Sequence, residues 1–216
     1  MNRQTLNRQS VTNWVLTCAR LMREYQAFLT QLDSAIGDAD HGANMTRGFN
    51  AAEAILLELT DDRTPGEVLV LTGQTLVTSI GGASGPLWGA VFRRTGKTLG
   101  EVLEVDLALL EGALDKGLVA VMELGAAEPG DKTMVDALSP AVDALKAALQ
   151  NGSSLQGALE KAQVAALEGA QNTTPLLARK GRSSYLGERS VGHQDPGAAS
   201  TALIITALNL AFRGEG

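Results

Sequence analysis

Ile36-Gly-Asp-Ala-Asp-His-Gly42 (IGDADHG) is the first of four glycine-rich polar segments that separate long aliphatic stretches of this chain. The others are GGASGP at 81–86, EPGDKT at 128–133 and GERSVGHQDPG at 187–197. These segments fall at every second connection between predicted helices. If consecutive helices run up and down, alternate connections lie at the same end of the bundle. The sequence therefore predicts that four distant loops meet at one rim.

The stretches between these loops carry helical patterns. From Trp14 to Leu32, apolar side chains recur at steps of three and four residues, as in an amphipathic helix. The pattern predicts eight helices, at about residues 9–32, 44–59, 65–80, 85–98, 105–124, 132–150, 155–178 and 195–210, with a kink or break at Pro175. No segment alternates as a half-buried strand does. We expect an all-α fold, an up-and-down eight-helix bundle or barrel.

Size and charge narrow the class of protein. The 216 residues suffice for one sizeable core, and no linker divides them, so we expect a single domain over residues 1–216. The net charge of −6 argues against nonspecific nucleic-acid binding, although it leaves room for a phosphate site. No apolar run is long enough for a membrane span, and the polar start MNRQ differs from a signal peptide. We therefore expect a cytoplasmic protein without a membrane partner.

Three aspartates lie close together around the first loop: Asp33, Asp38 and Asp40. They would not share one face of a continuous helix, but a turn at Gly37 can fold them onto one point. Three adjacent carboxylates repel one another, and Mg²⁺ is a cation that such oxygen ligands hold together with phosphate and water. The alternative is that these are helix-capping and turn aspartates on a solvated surface.

The other loops offer weaker signals. The small residues Gly81 to Gly85, with the Ser84 hydroxyl, precede a helix whose first N–H groups can bind an anion. A small-residue helix start without a ligand explains them equally well. Asp131 reads first as a helix cap, and Met134 as a core residue that could also flank a base. The basic run 179–182 with Arg189 is either solvated or bound to phosphates, and Asp195 caps the last helix.

Together these segments resemble a known family. IGDADHG-x-N-M-x-R-G, GGASGP-L-x-G, AEPGDKTM-x-D and ARKGR-x-SYLGERS-x-GHQDPGA-x-S are similar to the nucleotide-binding L subunit of dihydroxyacetone kinase, in the form that depends on the bacterial phosphotransferase system. The resemblance extends from about Leu32 to Ser200. Fused ATP-consuming members read G-D-G-D-C-G where this chain has Ala39 and His41, and their substrate domain has no counterpart here.

The resemblance implies an eight-helix barrel with ADP or ATP and two Mg²⁺ ions at one end. It implies metal ligation by Asp33, Asp38 and Asp40. It implies no certain catalytic side chain, with Arg182 as a phosphate-stabilising charge. It further implies nucleotide contacts from His41, Gly42, Ala43, Asn44, Ala83, Ser84, Gly125, Met134, Arg182, Asp195, Pro196 and Gly197.

The resemblance also implies partners. ADP would stay tightly bound, accept a phosphoryl group from a phosphohistidine of the M subunit of the phosphotransferase system, and pass it to dihydroxyacetone held on the K subunit. Two alternatives stay open at this point. One is a kinase subunit for dihydroxyacetone or a related short ketose that exchanges free ATP. The other is an added non-catalytic role, in which the nucleotide-loaded protein docks to a transcriptional regulator.

Overall fold

The computed structural model describes residues 5–59 and 62–215, and their regular structure is nearly all helical. The starting residues 1–4, on which the signal-peptide argument depends, lie outside this part. The elements in chain order are β1 (Leu6–Asn7), α1 (Arg8–Glu24), α2 (Gln26–Ile36), α3 (His41–Leu57), α4 (Pro65–Ser79), α5 (Ser84–Leu99), β2 (Glu104–Val105), α6 (Leu107–Gly125), α7 (Val135–Gln150), α8 (Leu155–Asn172), a 3₁₀ segment (Arg182–Ser190) and α9 (Pro196–Arg213). The all-α prediction is confirmed.

Several helices begin where a polar side chain satisfies their first N–H groups. Thr64 and Glu67 form a reciprocal capping box at the start of α4, with Pro65 in the first turn. Ser154 caps α8 by accepting from the N–H of Gly157. Asp195 caps α9, followed by Pro196, as the sequence predicted. These caps fix where the helices enter, and therefore where the loops before them lie.

The helices pack in a continuous order. α1 packs on α3, each helix from α3 to α8 packs on its successor, and α9 packs on both α8 and α1. α4 and α5 approach so closely that a Cβ on Gly66 would lie 2.4 Å from the carbonyl oxygen of Gly100, and one on Gly96 would lie 2.4 Å from that of Gly66. This order of neighbours is consistent with a closed ring; the barrel itself stays a prediction.

Three details differ from the sequence prediction. The first predicted helix is two helices, α1 and α2, which meet at Tyr25. The seventh ends at Asn172, short of Pro175, because proline disfavours a helical residue before it and cannot donate its own N–H. Leu6–Asn7 and Glu104–Val105 form a two-residue antiparallel pair that no alternating pattern predicted.

The core is aliphatic with a small aromatic centre. One cluster of buried residues extends from Leu6 to Phe212 and is dominated by leucine, alanine and valine. Within it the ring of Phe92 lies 5.3 Å from that of Trp14, 6.1 Å from that of Phe49 and 5.8 Å from that of Trp88. Across residues 5–59 and 62–215, no helix has the length and apolarity to cross a membrane.

Candidate functional site

A cavity of about 520 Å³ lies where the four glycine-rich loops meet. The first loop region contributes six residues between positions 33 and 41, the second Gly81 to Ser84, the third Lys132 and Thr133, and the fourth Asp195 to Gly197. The segment 180–183 adds basic and small residues. Loops that are distant in sequence are therefore neighbours around one cavity, which is the geometry that alternate helix connections predicted.

The three predicted metal-binding aspartates converge in this cavity. Asp33, Asp38 and Asp40 each place one carboxylate oxygen within 4.8 Å of the others. Asp33 is buried, whereas Asp38 and Asp40 are exposed. A set of three carboxylates open to the cavity fits a hard divalent cation that keeps further sites for water or phosphate oxygens.

Local backbone geometry brings these carboxylates together. Oδ2 of Asp33 accepts the backbone N–H groups of Asp40, at 2.9 Å, and of His41, at 3.0 Å, so a residue at the end of α2 supports the start of α3. Ala39, which lies between Asp38 and Asp40, has φ +61°, a left-handed conformation that is unfavourable for a residue with a Cβ. Gly37 leaves room for this carboxylate, because a Cβ there would lie 2.0 Å from Oδ1 of Asp33 in its present position.

His41 connects the first loop with the start of α5 and with α9. Its Nε2 lies 3.0 Å from Oγ of Ser200 in α9, and its Nδ1 lies 3.4 Å from Oγ of Ser84 at the start of α5. Burial lowers the pKa of His41, although the carboxylates of Asp33 and Asp40 oppose this shift. The lowered pKa favours the neutral ring, which can accept one hydrogen bond and donate another to the two serine hydroxyls.

Asn44 and the second loop form the next part of the wall. Nη2 of Arg47 donates to Oδ1 of Asn44 at 2.8 Å, and Nε of Arg47 donates to the carbonyl of Ser79 at 2.8 Å. Gly81 packs against this pair, since a Cβ on it would lie 3.0 Å from both Nη2 of Arg47 and Oδ1 of Asn44. The small residues at 81–83 thus leave space in front of an oriented amide.

Asp195 is a buried carboxylic acid in the wall of the cavity. Its Oδ2 accepts the N–H of Ala198 at 2.7 Å. Burial raises its pKa to about 7, with Asp136 and Asp33 adding repulsion, while the N–H of Ala198 and the ammonium of Lys132 act in the opposite direction. A carboxyl group with a pKa near 7 inside a cavity is typical of functional sites, but buried helix caps can have the same property.

Two lining features escaped the sequence analysis. Lys132 lies in the cavity wall with an almost fully buried side chain, although the segment was interpreted through Asp131 as a cap. That interpretation was wrong: the N-cap position of α7 is Met134, and the Asp131 carboxylate accepts the N–H of Glu128 within its own loop. One side of the cavity is apolar and consists of residues that the sequence had not singled out: Leu87, Trp88, Val121, Leu124 and Val135.

Most of the predicted nucleotide-contact residues line this cavity: His41, Asn44, Ala83, Ser84, Gly125, Met134, Arg182, Asp195, Pro196 and Gly197. Gly42 and Ala43 are not part of the lining. Gly42 packs against α2 instead, where a Cβ would lie 2.2 Å from the carbonyl oxygen of Gln26. Both residues stand in the first turn of α3, whose N–H groups have no partner within the helix.

The comparisons with known proteins agree with this picture. The DAK2 domain family matches residues 35–209. The chain also shares 43% identity over 209 residues with a protein of Escherichia coli K12, covering 97% of this chain and 99% of that one. The chain therefore belongs to the DAK2 domain family.

The relatives carry specific names. The Escherichia coli protein is the PEP-dependent dihydroxyacetone kinase, ADP-binding subunit DhaL. The PTS-dependent dihydroxyacetone kinase, ADP-binding subunit DhaL, of Lactococcus lactis is 39% identical over 195 residues, which cover 90% of this chain and 93% of that one.

A solved structure extends the comparison to the fold. The dihydroxyacetone kinase from C. freundii in complex with AMP-PNP and Mg²⁺ superposes with a TM-score of 0.70 at 27% identity over 92% of this chain. This chain spans only 33% of that longer protein.

Proposed function

We propose that this chain is the ADP-binding subunit of a dihydroxyacetone kinase that takes its phosphoryl group from the phosphoenolpyruvate phosphotransferase system. The observation that carries the proposal is the meeting of three carboxylates, a glycine-rich helix start and an arginine around one cavity. The names of relatives matched over nearly their whole length support the same function.

In this proposal Asp33, Asp38 and Asp40 hold two Mg²⁺ ions. The donor set fits, because it presents three carboxylates around a common point, two of them exposed to the cavity. When bound, the metal ions would neutralise the charge of nucleotide phosphates during phosphoryl transfer. The chain itself contributes the fixed position of Asp33, held by two backbone N–H groups of the α3 start.

The rest of the cavity wall has a polar part, which would bind the phosphates of a nucleotide, and an apolar part, which would bind its base. The N–H groups at the start of α3 and α5, with the hydroxyl of Ser84, suit phosphate oxygens. Arg182 would add a fixed positive charge on the same side. Met134 and the apolar wall around Leu87 suit an adenine ring, since nucleotide pockets are mostly apolar with a few oriented polar groups.

The proposed reaction needs position and charge more than a nucleophile from this chain. Bound ADP would be phosphorylated by a phosphohistidine of the M subunit, and the phosphoryl group would then pass to dihydroxyacetone held on the K subunit, giving dihydroxyacetone phosphate. Bound nucleotide would stay in place between these steps. Both partners would approach the open side of the cavity, where Asp38, Asp40 and Arg182 are exposed.

A reconstitution tests the phosphoryl donor. The purified chain is mixed with a K subunit and dihydroxyacetone, with either excess ATP or phosphoenolpyruvate and the phosphotransferase proteins including the M subunit. We expect sustained dihydroxyacetone phosphate formation only in the second mixture. We also expect the purified chain, when denatured, to release about one mole of ADP per mole of protein, identified by its mass. Sustained turnover with ATP alone would instead favour an ATP-exchanging kinase subunit for dihydroxyacetone or a related ketose.

The regulatory alternative has its own test. The nucleotide-loaded chain and the nucleotide-free chain are compared for binding to a candidate transcriptional regulator. Equal binding by both forms would count against docking that depends on nucleotide.

A further inference from the structure

Lys132 is the only lysine or arginine among the buried residues of 5–59 and 62–215. Its side chain crosses into the region between α8 and α9. Nζ lies within hydrogen-bonding distance of four carbonyl oxygens, which share its three N–H groups: those of Thr173 at 2.9 Å, Leu176 at 3.1 Å and Thr174 at 3.4 Å, and that of His193. One ammonium therefore gathers carbonyl groups from the end of α8 and from the loop before α9.

These contacts lead directly to the cavity wall. Thr173, whose carbonyl binds Lys132, accepts the backbone N–H of Asp195 on its Oγ1 at 2.9 Å. His193 stands two residues before Asp195. The ammonium of Lys132 also attracts the Asp195 carboxylate, which burial and Asp33 otherwise disfavour. The position of Asp195 to Gly197 thus depends on groups that Lys132 holds.

The backbone at Lys132 is also unusual. Its φ is +64°, in the left-handed region that residues with a Cβ seldom adopt. The neighbouring Asp131 carbonyl accepts the N–H of Arg179 at 3.0 Å, so the loop is tied to the same returning segment at two adjacent residues. A conformation of this kind persists only when the surrounding contacts over-determine it.

We infer that Lys132 is a positioning residue for nucleotide binding: its ammonium fixes the loop that carries Asp195, Pro196 and Gly197 against the cavity. The inference rests on the proposed function, because it assumes that nucleotide occupies this cavity. Lys132 does not touch the reacting groups in this role. It acts through Thr173 and His193, whose carbonyl groups it draws together.

Removal of the ammonium tests the inference. Lys132→Met keeps most of the apolar stem but leaves the carbonyl groups without their donor. We expect the dissociation constant for ADP, measured by calorimetry with MgCl₂, to rise roughly 10- to 100-fold, as when outer-shell partners of a binding site are removed. Lys146→Met, the same change at an exposed lysine, should bind like the unaltered chain. Unchanged ADP affinity in a folded Lys132→Met protein would overturn the inference.

Chemical rescue separates positioning from a general loss of stability. Lys132→Ala removes the side chain beyond Cβ, which leaves room for a propylammonium ion. We expect propylammonium chloride to restore part of the ADP affinity of this variant, whereas tetramethylammonium chloride, which has the same charge but no N–H donor, should not. Equal effects of the two salts would contradict a role through donated hydrogen bonds.

A measurement on the unaltered chain covers the case in which both variants fail to fold. Coupling between two equilibria is reciprocal. If the hydrogen bonds of the Lys132 ammonium favour nucleotide binding, bound nucleotide must therefore stabilise those hydrogen bonds. Amine acetylation followed by mass spectrometry should show slow labelling of Lys132, and saturating ADP with MgCl₂ should slow it further while leaving Lys146 unchanged. Labelling of Lys132 that is indifferent to ADP would overturn the inference.

The two proposals can fail separately. If the unaltered chain binds no ADP, the proposed function fails. If the unaltered chain binds ADP and Lys132 substitution changes nothing, only the role of Lys132 fails.

Discussion

Nε of Arg182 lies 3.1 Å from Oδ2 of Asp38, so the segment 180–183 is ion-paired with the first loop across the cavity wall. The guanidinium side chain is 70% exposed and its partner 36%, which makes this an exchangeable surface pair. An arginine held in this way is available to an incoming phosphate, since carboxylate and phosphate oxygens suit the same donors.

Substitution of Arg182 should therefore affect binding and not folding. We expect Arg182→Gln to change the free energy of unfolding by less than about 0.5 kcal/mol, because an exposed pair contributes little. We expect it to weaken ADP binding about tenfold, the loss expected for one hydrogen bond to a charged group. Calorimetry and urea unfolding measure the two effects. Arg189→Gln, an exposed arginine of the same segment, is the control; a large fall in stability would contradict the surface role.

Removal of one aspartate should have opposite effects with and without metal. In Asp40→Asn the carboxylates of Asp33 and Asp38 lose a repelling neighbour, so the metal-free protein should melt at a slightly higher temperature. Mg²⁺ affinity should fall about 100-fold or more if the proposed assignment is right, because the site would lose a direct ligand. Thermal melting with EDTA and with MgCl₂ measures both. Asp143→Asn at an exposed helical site should leave the Mg²⁺ response intact; an unaltered response in Asp40→Asn would remove this aspartate from the metal site.

The space beside Asp33 permits a sharper test of the same site. Gly37→Ala would place a methyl group 2.0 Å from Oδ1 of Asp33, so the carboxylate must move. We expect Mg²⁺ affinity to fall at least about tenfold although no ligand is removed. Gly112→Ala in α6, where the Cβ meets nothing within 4 Å, should instead stabilise the fold by up to about 1 kcal/mol. Mg²⁺ titration of both variants measures the contrast, and equal affinities would show that the site tolerates displacement of Asp33.

Asp195 gives the stability a pH dependence of defined sign. Its pKa is about 7 in the folded chain against 3.8 in the unfolded reference, so the folded state retains a proton that the unfolded state has lost. Stability from this group is therefore fully present below about pH 4 and declines as pH rises to 7, by on the order of 4 kcal/mol. Asn at this position keeps an oxygen to cap α9 but cannot ionise.

We therefore expect Asp195→Asn to lose this decline. The check is urea unfolding of both proteins at several pH values between 5 and 8, without nucleotide and with EDTA. Parallel pH profiles for the two proteins would show that the Asp195 carboxyl is ionised throughout this range.

The sequence carried enough information to predict the helices and the meeting of their loops. Proline and capping residues at Pro65, Ser154 and Asp195 mark helix starts by local chemistry, and local chemistry is readable in order along the chain. Alternation of the connections then predicts which loops are neighbours. The three aspartates were found in the same way, because a glycine-containing turn is a local signal.

What escaped prediction depends on long-range contacts. The first predicted helix is interrupted at Tyr25, where the sequence has neither proline nor glycine. Because the apolar stripe continues across the interruption, no local pattern marks it. Lys132 resembles any lysine beside a capping aspartate. Its importance comes from carbonyl groups at Thr173 to His193, and no spacing rule connects these residues with the third loop.

Trp88 is buried, lines the cavity and packs at a tilt against Phe92, which also packs on Trp14. Trp14 and Trp88 are the two tryptophans of the chain. Any occupant of the apolar wall would alter the surroundings of one indole directly and reach the second through a single shared ring. We therefore expect intrinsic tryptophan fluorescence to change on ligand entry, so that binding can be followed in real time without an attached dye.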